Sequence, residues 1–484
     1  MNHLKKVLQL TVLLILVIFF LFPLVMTVTA LMLFIGVFSN ACGNNQAAQG
    51  KNNSFTISVV TKDMYLDMVV KKFQELHPSI NVEVKEYTSN PLPPASGKGI
   101  IIRTEDPIDI EKYVMAMNTQ LMSGQGSDII LLNNLPYETY ADKNLLLNLG
   151  QMMQSDQSFN SSKYYQNILE ALEYKGNLYG LPVSFSIDIM AADKTLLENS
   201  QVKIDDNTWS WNDFVKMAEK VINDNKTRGT QELYALAGMD EKRLITSLVR
   251  ENYGKLVDSE KKTANFTGKE FLDLLNLSKY LIDHKLINTD TTQTNMMDLA
   301  SRGKLVFNLI PLRGFMDLQA TKTIFTGEVQ LLKPPGNEGN LFFTTDSMYG
   351  ISNNSPHQEL AWEFLKLLVS DEMMSQGTLF GMPINKSVVP QIAQNTIQSL
   401  QKGGRMIMKG ANNSQAQSIT LQPPTQEEIN FVESLLNKAN IYNGTDQKII
   451  SIMQEETTAF FTGQKTAEVT ARLIQDRVST YLNE

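Results

Sequence analysis

Apolar and polar residues alternate at Phe55, Ile57 and Val59, the period of a half-buried strand. Leu66, Val69, Phe73 and Leu76 follow at helical spacing, and Pro78 ends that run. Alternation returns at Ile80, Val82 and Val84. Strand, helix and strand in so short a span make a βαβ unit, which implies a parallel sheet. The pattern predicts a helix from about Ile110 to Met122, and a buried strand over the apolar run 128–132. Residues 179–190 read as an apolar segment crossing between lobes. Helices are expected at 211–221, 271–281 and 360–368, and extended segments at 304–310 and 341–351. The 401–425 region, with Gly403-Gly404, Asn412-Asn413 and Pro423-Pro424, reads as loop. Two amphipathic helices close the chain: one carries Ile429, Val432, Leu436 and Ala439, and the other Ala467, Ala471, Ile474, Val478 and Tyr481.

A chain of 484 residues exceeds what one hydrophobic core usually supports, so two lobes are expected. With 43% hydrophobic and 19% charged residues it has the composition of a folded protein. A net charge of -8 argues against nucleic-acid binding, which needs a basic surface. Cys42 is the only cysteine, so no disulfide forms within the chain. Its position is informative. Lys5 and Lys6 precede an uncharged apolar stretch that reaches Ala41, and a polar run from Gly43 to Ser54 follows Cys42. That order is the order of an export signal, and a cysteine at the cut resembles a bacterial lipoprotein signal. Ser39 stands where such signals usually carry leucine, and the apolar stretch is long enough to span a bilayer. Two arrangements therefore stand open: residues 1–41 removed and Cys42 lipidated with palmitate or a similar chain, or an uncleaved membrane anchor. Either one places residues 54–484 on the outer face of the cytoplasmic membrane, with 42–53 as a tether.

Seven segments resemble one family in order: 113–130, 135–149, 178–194 (LYGLPVSFSIDIMAADK), 208–221 (TWSWNDFVKMAEKV), 302–315 (RGKLVFNLIPLRGF), 349–388 and 460–484. Together they resemble the extracellular solute-binding proteins of family 1, the sugar-binding subunits of ABC importers. The resemblance implies an α/β, two-lobed periplasmic-binding-protein-like (class II) fold with crossing hinge strands. It also implies a small solute, a carbohydrate in the first instance, held in the interlobe cleft and passed to ABC permease subunits. No cofactor, no catalysis and a monomer are expected. The expected spans are 54–183 and 308–342 for lobe 1, and 184–307 and 343–484 for lobe 2. Ala191-Ala192-Asp193-Lys194 and Arg313-Gly314-Phe315 depart from the family pattern.

Sugar sites combine aromatic rings with planar polar groups, placed at strand ends and crossovers. The candidates on that basis are Asp63 and Tyr65 after the first strand, and Asn133 and Tyr137 after the buried strand. Phe185 and Asp188 lie on the first crossover, with Trp209 before its helix. Arg313 and Phe315 follow the second crossover, and Asp346 and Tyr349 lie near the third. Trp211 and Trp362 sit on apolar helix faces and read as core. His3, His77, His284 and His357 are far apart, no spacing suggests zinc, and no nucleophile elbow or phosphate loop is present. A secreted carbohydrate-active enzyme would show paired acids across the cleft. A sensor feeding a membrane kinase would keep an uncleaved anchor.

Overall fold

The computed structural model describes residues 54–89, 106–227, 232–336, 340–376, 379–403, 405–408 and 417–483. Cys42, the export segment and the expected loop from Asn90 to Gly99 lie outside the described residues. Residues 54–484 form one compact unit.

The first lobe begins with β1 (Ser54–Val59), α1 (Met64–Leu76) and β2 (Asn81–Glu86). β1 pairs in parallel with both β2 and β3 (Ile129–Leu131), as the βαβ pattern predicts. Asp63 accepts from the Leu66 N–H at 2.6 Å and so caps α1. Helix α2 (Pro107–Met122) starts a turn earlier than expected, because Asp106 caps it and Pro107 fits the first turn. Asp128, just before β3, ties the lobe together. Its carboxylate accepts from Thr56 N–H at 2.7 Å and from Ser355 Oγ at 2.6 Å. Helix α3 (Tyr137–Asp142) follows β3.

The long strand β4 (Leu181–Asp193) carries the chain out of this lobe. Leu181, Val183, Phe185, Ile187 and Ile189 belong to the first hydrophobic core; Met190 and Ala192 belong to the second. The second core is helical. It is built by α4 (Trp211–Thr227), α5 (Glu241–Glu251) and α6 (Lys269–Asp283), with Phe214, Leu248 and Phe271 fully buried. The chain returns along β5 (Phe307–Leu312): Phe307 packs in the second core and Leu312 in the first. Then come α7 (Phe315–Ile324), β6 (Val329–Leu332) and β7 (Phe342–Ile351). The sheet order is β6-β4-β7-β3-β1-β2, with β5 also pairing β4. Strand β7 is antiparallel to both β3 and β4, so it fills the first lobe's sheet.

That pairing explains a difference from the expected spans. Residues 343–484 were expected in lobe 2, yet side chains from Leu341 to Ala439 pack in the first core, including α8 (Gln358–Leu368) and α9 (Val389–Gln401). Helix α10 (Gln426–Leu436) does the same, and carries a capping box from Thr425 to Glu428. The chain crosses again only after β8 (Ile441–Tyr442), and α11 (Gln447–Phe461) and α12 (Ala467–Asn483) complete the second core. The sequence pattern did not yield α11, and read as loop the segment that forms a short antiparallel ladder between residues 405–408 and 417–420.

Candidate functional site

Two strands that run between the two cores, β4 and β5, and the first-lobe strand β7 beside β4 bring charged side chains together. Asp188 lies on β4 directly before the change of core, opposite Pro311 of β5. Arg313 follows β5 and is followed in turn by α7. Its backbone N–H donates to Asp317 Oδ2 at 3.0 Å in the first turn of that helix. Asp346 is on β7 where the register with β4 shifts between Thr345 and Ser347. Such a bulge turns one side chain away from the regular ladder, and here it turns Asp346 toward Arg313. Asp346 Oδ1 accepts from Ser186 Oγ at 3.3 Å and lies 4.0 Å from Arg313 Nε. The Arg313 guanidinium stacks over the Phe380 ring at 4.9 Å. From the second lobe, the C-terminal end of α5 contributes Arg250 and Glu251. Glu251 accepts from Trp211 Nε1 at 2.9 Å.

Burial raises the acids of this group. Asp188 is pushed up to about 6 despite the opposing charges of Arg250 and Arg313. Asp346 is pushed up to about 7; Arg313 and Ser186 oppose burial, and Asp317 and Asp188 reinforce it. Glu251 is pushed up to about 8 by burial, with the Trp211 hydrogen bond opposing and Asp188 adding repulsion. Asp317 is raised by burial as well, against backbone hydrogen bonds from Arg313 and Gly314 and the Arg313 charge. Asp346 Oδ2, Arg313 Nε and Arg250 Nε are buried and make no hydrogen bond. Buried polar atoms are normally satisfied, so three unsatisfied ones in one group are unusual.

Near the charges lies an aromatic group at the edge of the first core. Tyr442, on the last crossing, lies 5.6 Å from the Phe343 ring, and its hydroxyl is 3.4 Å from Thr345 Oγ1. Tyr137 of α3 is raised by burial first and by the Tyr442 phenol second. Asn443 Oδ1, next along the crossing, is buried without a partner. Burial raises the Glu138 carboxyl of α3, and Ser259 of the second lobe opposes it. Among the described residues no group of three His, Cys, Asp or Glu side chains is arranged to hold a metal.

The sequence matches bacterial extracellular solute-binding proteins over residues 59–375, about two thirds of the chain. The chain belongs to that family. Solved structures give the same two-lobed class II fold. The sugar-binding protein MalE from Xanthomonas citri aligns with a TM-score of 0.61 at 15% identity, covering 89% of this chain and 97% of that one. A family 1 extracellular solute-binding protein from Alicyclobacillus acidocaldarius aligns at 0.57 and 17% identity, covering 89% and 98%. A Listeria monocytogenes ABC substrate-binding protein in complex with cycloalternan aligns at 0.56 and 16% identity, covering 89% and 99%.

Of the residues singled out by sequence, the structure brings together Asp188, Arg313 and Asp346, while Tyr137 is buried in the first core beside Tyr442. The others have work inside the fold. Asp63 caps α1, and Tyr65 is 3% exposed, with its hydroxyl donating to Leu368 O at 2.5 Å. Asn133 bridges β3 to β7, donating to Thr345 O at 2.8 Å and accepting from Met348 N–H at 2.8 Å. Phe185 is buried edge-on between Tyr165 and Phe343. Trp209 is buried in the second core and donates to Lys333 O at 3.1 Å. Phe315 and Tyr349 are buried in the first core. Arg250, Glu251, Asp317, Phe380 and Tyr442 were missed. Arg250 and Glu251 sit in a helix that shows only an amphipathic pattern, and nothing local marks its end as facing the cleft.

Proposed function

We propose that this protein is the substrate-binding subunit of an ABC importer and that it captures a carbohydrate between its lobes. The observation that carries the reading is the set of orphaned buried polar atoms on Asp346, Arg313 and Arg250, contributed by both lobes at the strands that join them. Hydroxyl groups both donate and accept, so a polyol answers Asp346 Oδ2 and both arginine Nε groups at once. Half-buried Tyr442 offers an apolar face of the kind that sugar rings stack on. Neighbouring structures include proteins described as bound to maltose and to α-D-tagatose, which supports a sugar over a peptide or a polyol phosphate. Rotation about β4, β5 and the 439–447 crossing would open the cleft, and the Glu138–Ser259 contact would part with it. A lipid on Cys42 would hold the protein beside its permease as a monomer; mass spectrometry of the membrane fraction, showing an acylated Cys42 at a new N-terminus, tests that anchor.

A thermal-shift screen of residues 54–484 against mono- and oligosaccharides tests the function. Binding to the folded state alone stabilises it by about 2.7 kcal/mol at 100-fold excess over the dissociation constant. One sugar class should raise the melting temperature, and a flat response to all of them would sink the carbohydrate reading. A second reading draws on Asp188, Glu251 and Asp346, raised acids facing one cleft as a glycosidase would use them. Release of reducing ends from the stabilising sugar would favour that enzyme; an unchanged sugar favours the importer subunit.

A further inference from the structure

A row of polar residues crosses the sheet on the face away from the first core. Phe185 and Ile187 of β4 and Phe343 of β7 turn into that core, so Ser186 and Thr344, beside them in sequence, fall on the other face. These two are register partners, and their hydroxyl oxygens lie 3.0 Å apart. On one flank Ile187 pairs with Leu312 of β5, which sets the next residue, Arg313, beside Ser186. On the other flank Tyr442 of β8 pairs with Phe343. Asn443 follows it, donating its backbone N–H to Phe343 O at 2.7 Å, and so stands beside Thr344. The order across the sheet is Arg313, Ser186, Thr344, Asn443.

The row is bonded in its middle and open at both ends. Ser186 and Thr344 bond to each other, and Ser186 Oγ also reaches Asp346 Oδ1 at 3.3 Å. At the ends, Arg313 Nε and Asn443 Oδ1 are buried without hydrogen bonds. Asn443 carries no charge and is only 7% exposed, so bulk water does not satisfy its free oxygen. An amide kept for the fold would be bonded to the fold, because an unsatisfied buried acceptor costs stability. Three strand spacings, about 14 Å, separate the two ends. One pyranose ring extends about one strand spacing, about 5 Å, so a single ring answers one end and three linked rings reach both. Resting on the carbohydrate reading above, we infer that Asn443 is a second ligand contact, at the far end of the site from Arg313. Its Oδ1 accepts a hydroxyl from a sugar unit remote from the one at Arg313, and the ligand is a linear oligosaccharide of at least three units.

Isothermal titration of residues 54–484 with malto-, cello- and chito-oligosaccharides of one to five units tests this. In the series that binds, affinity should climb by about tenfold or more from one unit to three. Asn443→Ala should weaken binding of the trisaccharide by about tenfold and leave the shorter sugars as they were. The variant's urea midpoint without ligand should be unchanged or raised, because Asn443 Oδ1 has no partner to lose. A monosaccharide that binds as tightly as its trimer would overturn the length inference and leave the carbohydrate reading standing. A lower urea midpoint, or equal losses at every length, would make the amide a structural group and overturn its assignment to the ligand. No binding in any series would overturn the carbohydrate reading, and the inference with it.

Discussion

Replacing Asp346 by asparagine should stabilise the unliganded protein, and by more at high pH than at low. The asparagine keeps the shape and the hydrogen bond with Ser186 Oγ while removing the need to ionise a buried carboxyl group. In the folded protein that group is raised from the usual 3.8 to about 7. The folded state therefore holds a proton that the unfolded chain has already lost, and stability falls as pH rises between those two values. At 1.36 kcal/mol per pH unit, the full penalty is at most about 4 kcal/mol, reached above pH 7 and absent below pH 4. Urea denaturation of both proteins at pH 4, 5, 6, 7 and 8 reads it directly. The variant's advantage should grow from pH 4 to about 7 and level off there. An advantage that is constant across the series, or one that shrinks with pH, would refute the assignment of Asp346 as an acid raised by burial.

Other perturbations separate the site from the scaffold. Gly381→Ala places a Cβ against Asp346 Oδ2 at a φ of +103°, so it should destabilise the protein by about 1–3 kcal/mol and impair ligand capture, both read in one thermal-shift experiment with and without sugar. Trp211→Phe removes the donor to Glu251 and keeps the ring against Phe214; stability should fall by about 1–3 kcal/mol, read as a lower urea midpoint, because a buried carboxyl group loses its partner. Asp63→Ala should lower stability by about 1 kcal/mol through the lost cap on α1 and leave the dissociation constant where it was, and a changed constant would return Asp63 to the ligand site.

The elements were legible where periodicity and burial agree. Phe55, Ile57 and Val59 are fully buried on β1, and the Trp211 helix buries Phe214, Ala218 and Val221 as its spacing implies. The course of the chain between cores was harder to read. Residues 341–351 are extended, as their pattern says, but an extended apolar run looks the same whether it crosses a hinge or fills a sheet; the pairing of β7 with β3 is a long-range fact. The candidate site residues divide the same way. Asp188, Arg313 and Asp346 could be named because they sit beside crossover strands. Tyr65, Phe185, Phe315 and Tyr349 sit beside the same kind of strand and turn inward, since a ring near a strand end serves a core as well as a cleft. Arg250 and Glu251 were invisible because the last turn of an amphipathic helix reads as surface until a second lobe stands opposite it.

The central claim is that a sugar is held by charged side chains from both lobes. The most direct measurement is the dissociation constant of the stabilising sugar for residues 54–484 and for Arg313→Ala. Arg313 acts on Asp188, Asp317 and Asp346, and its side chain is partly exposed, so truncating it should weaken binding by about 2 kcal/mol, the low end of the range for charged partners at an interface. A folded Arg313→Ala protein that binds at least about thirtyfold more weakly, on the low end of that range, bears the account out. A folded variant that binds the same sugar with undiminished affinity contradicts it.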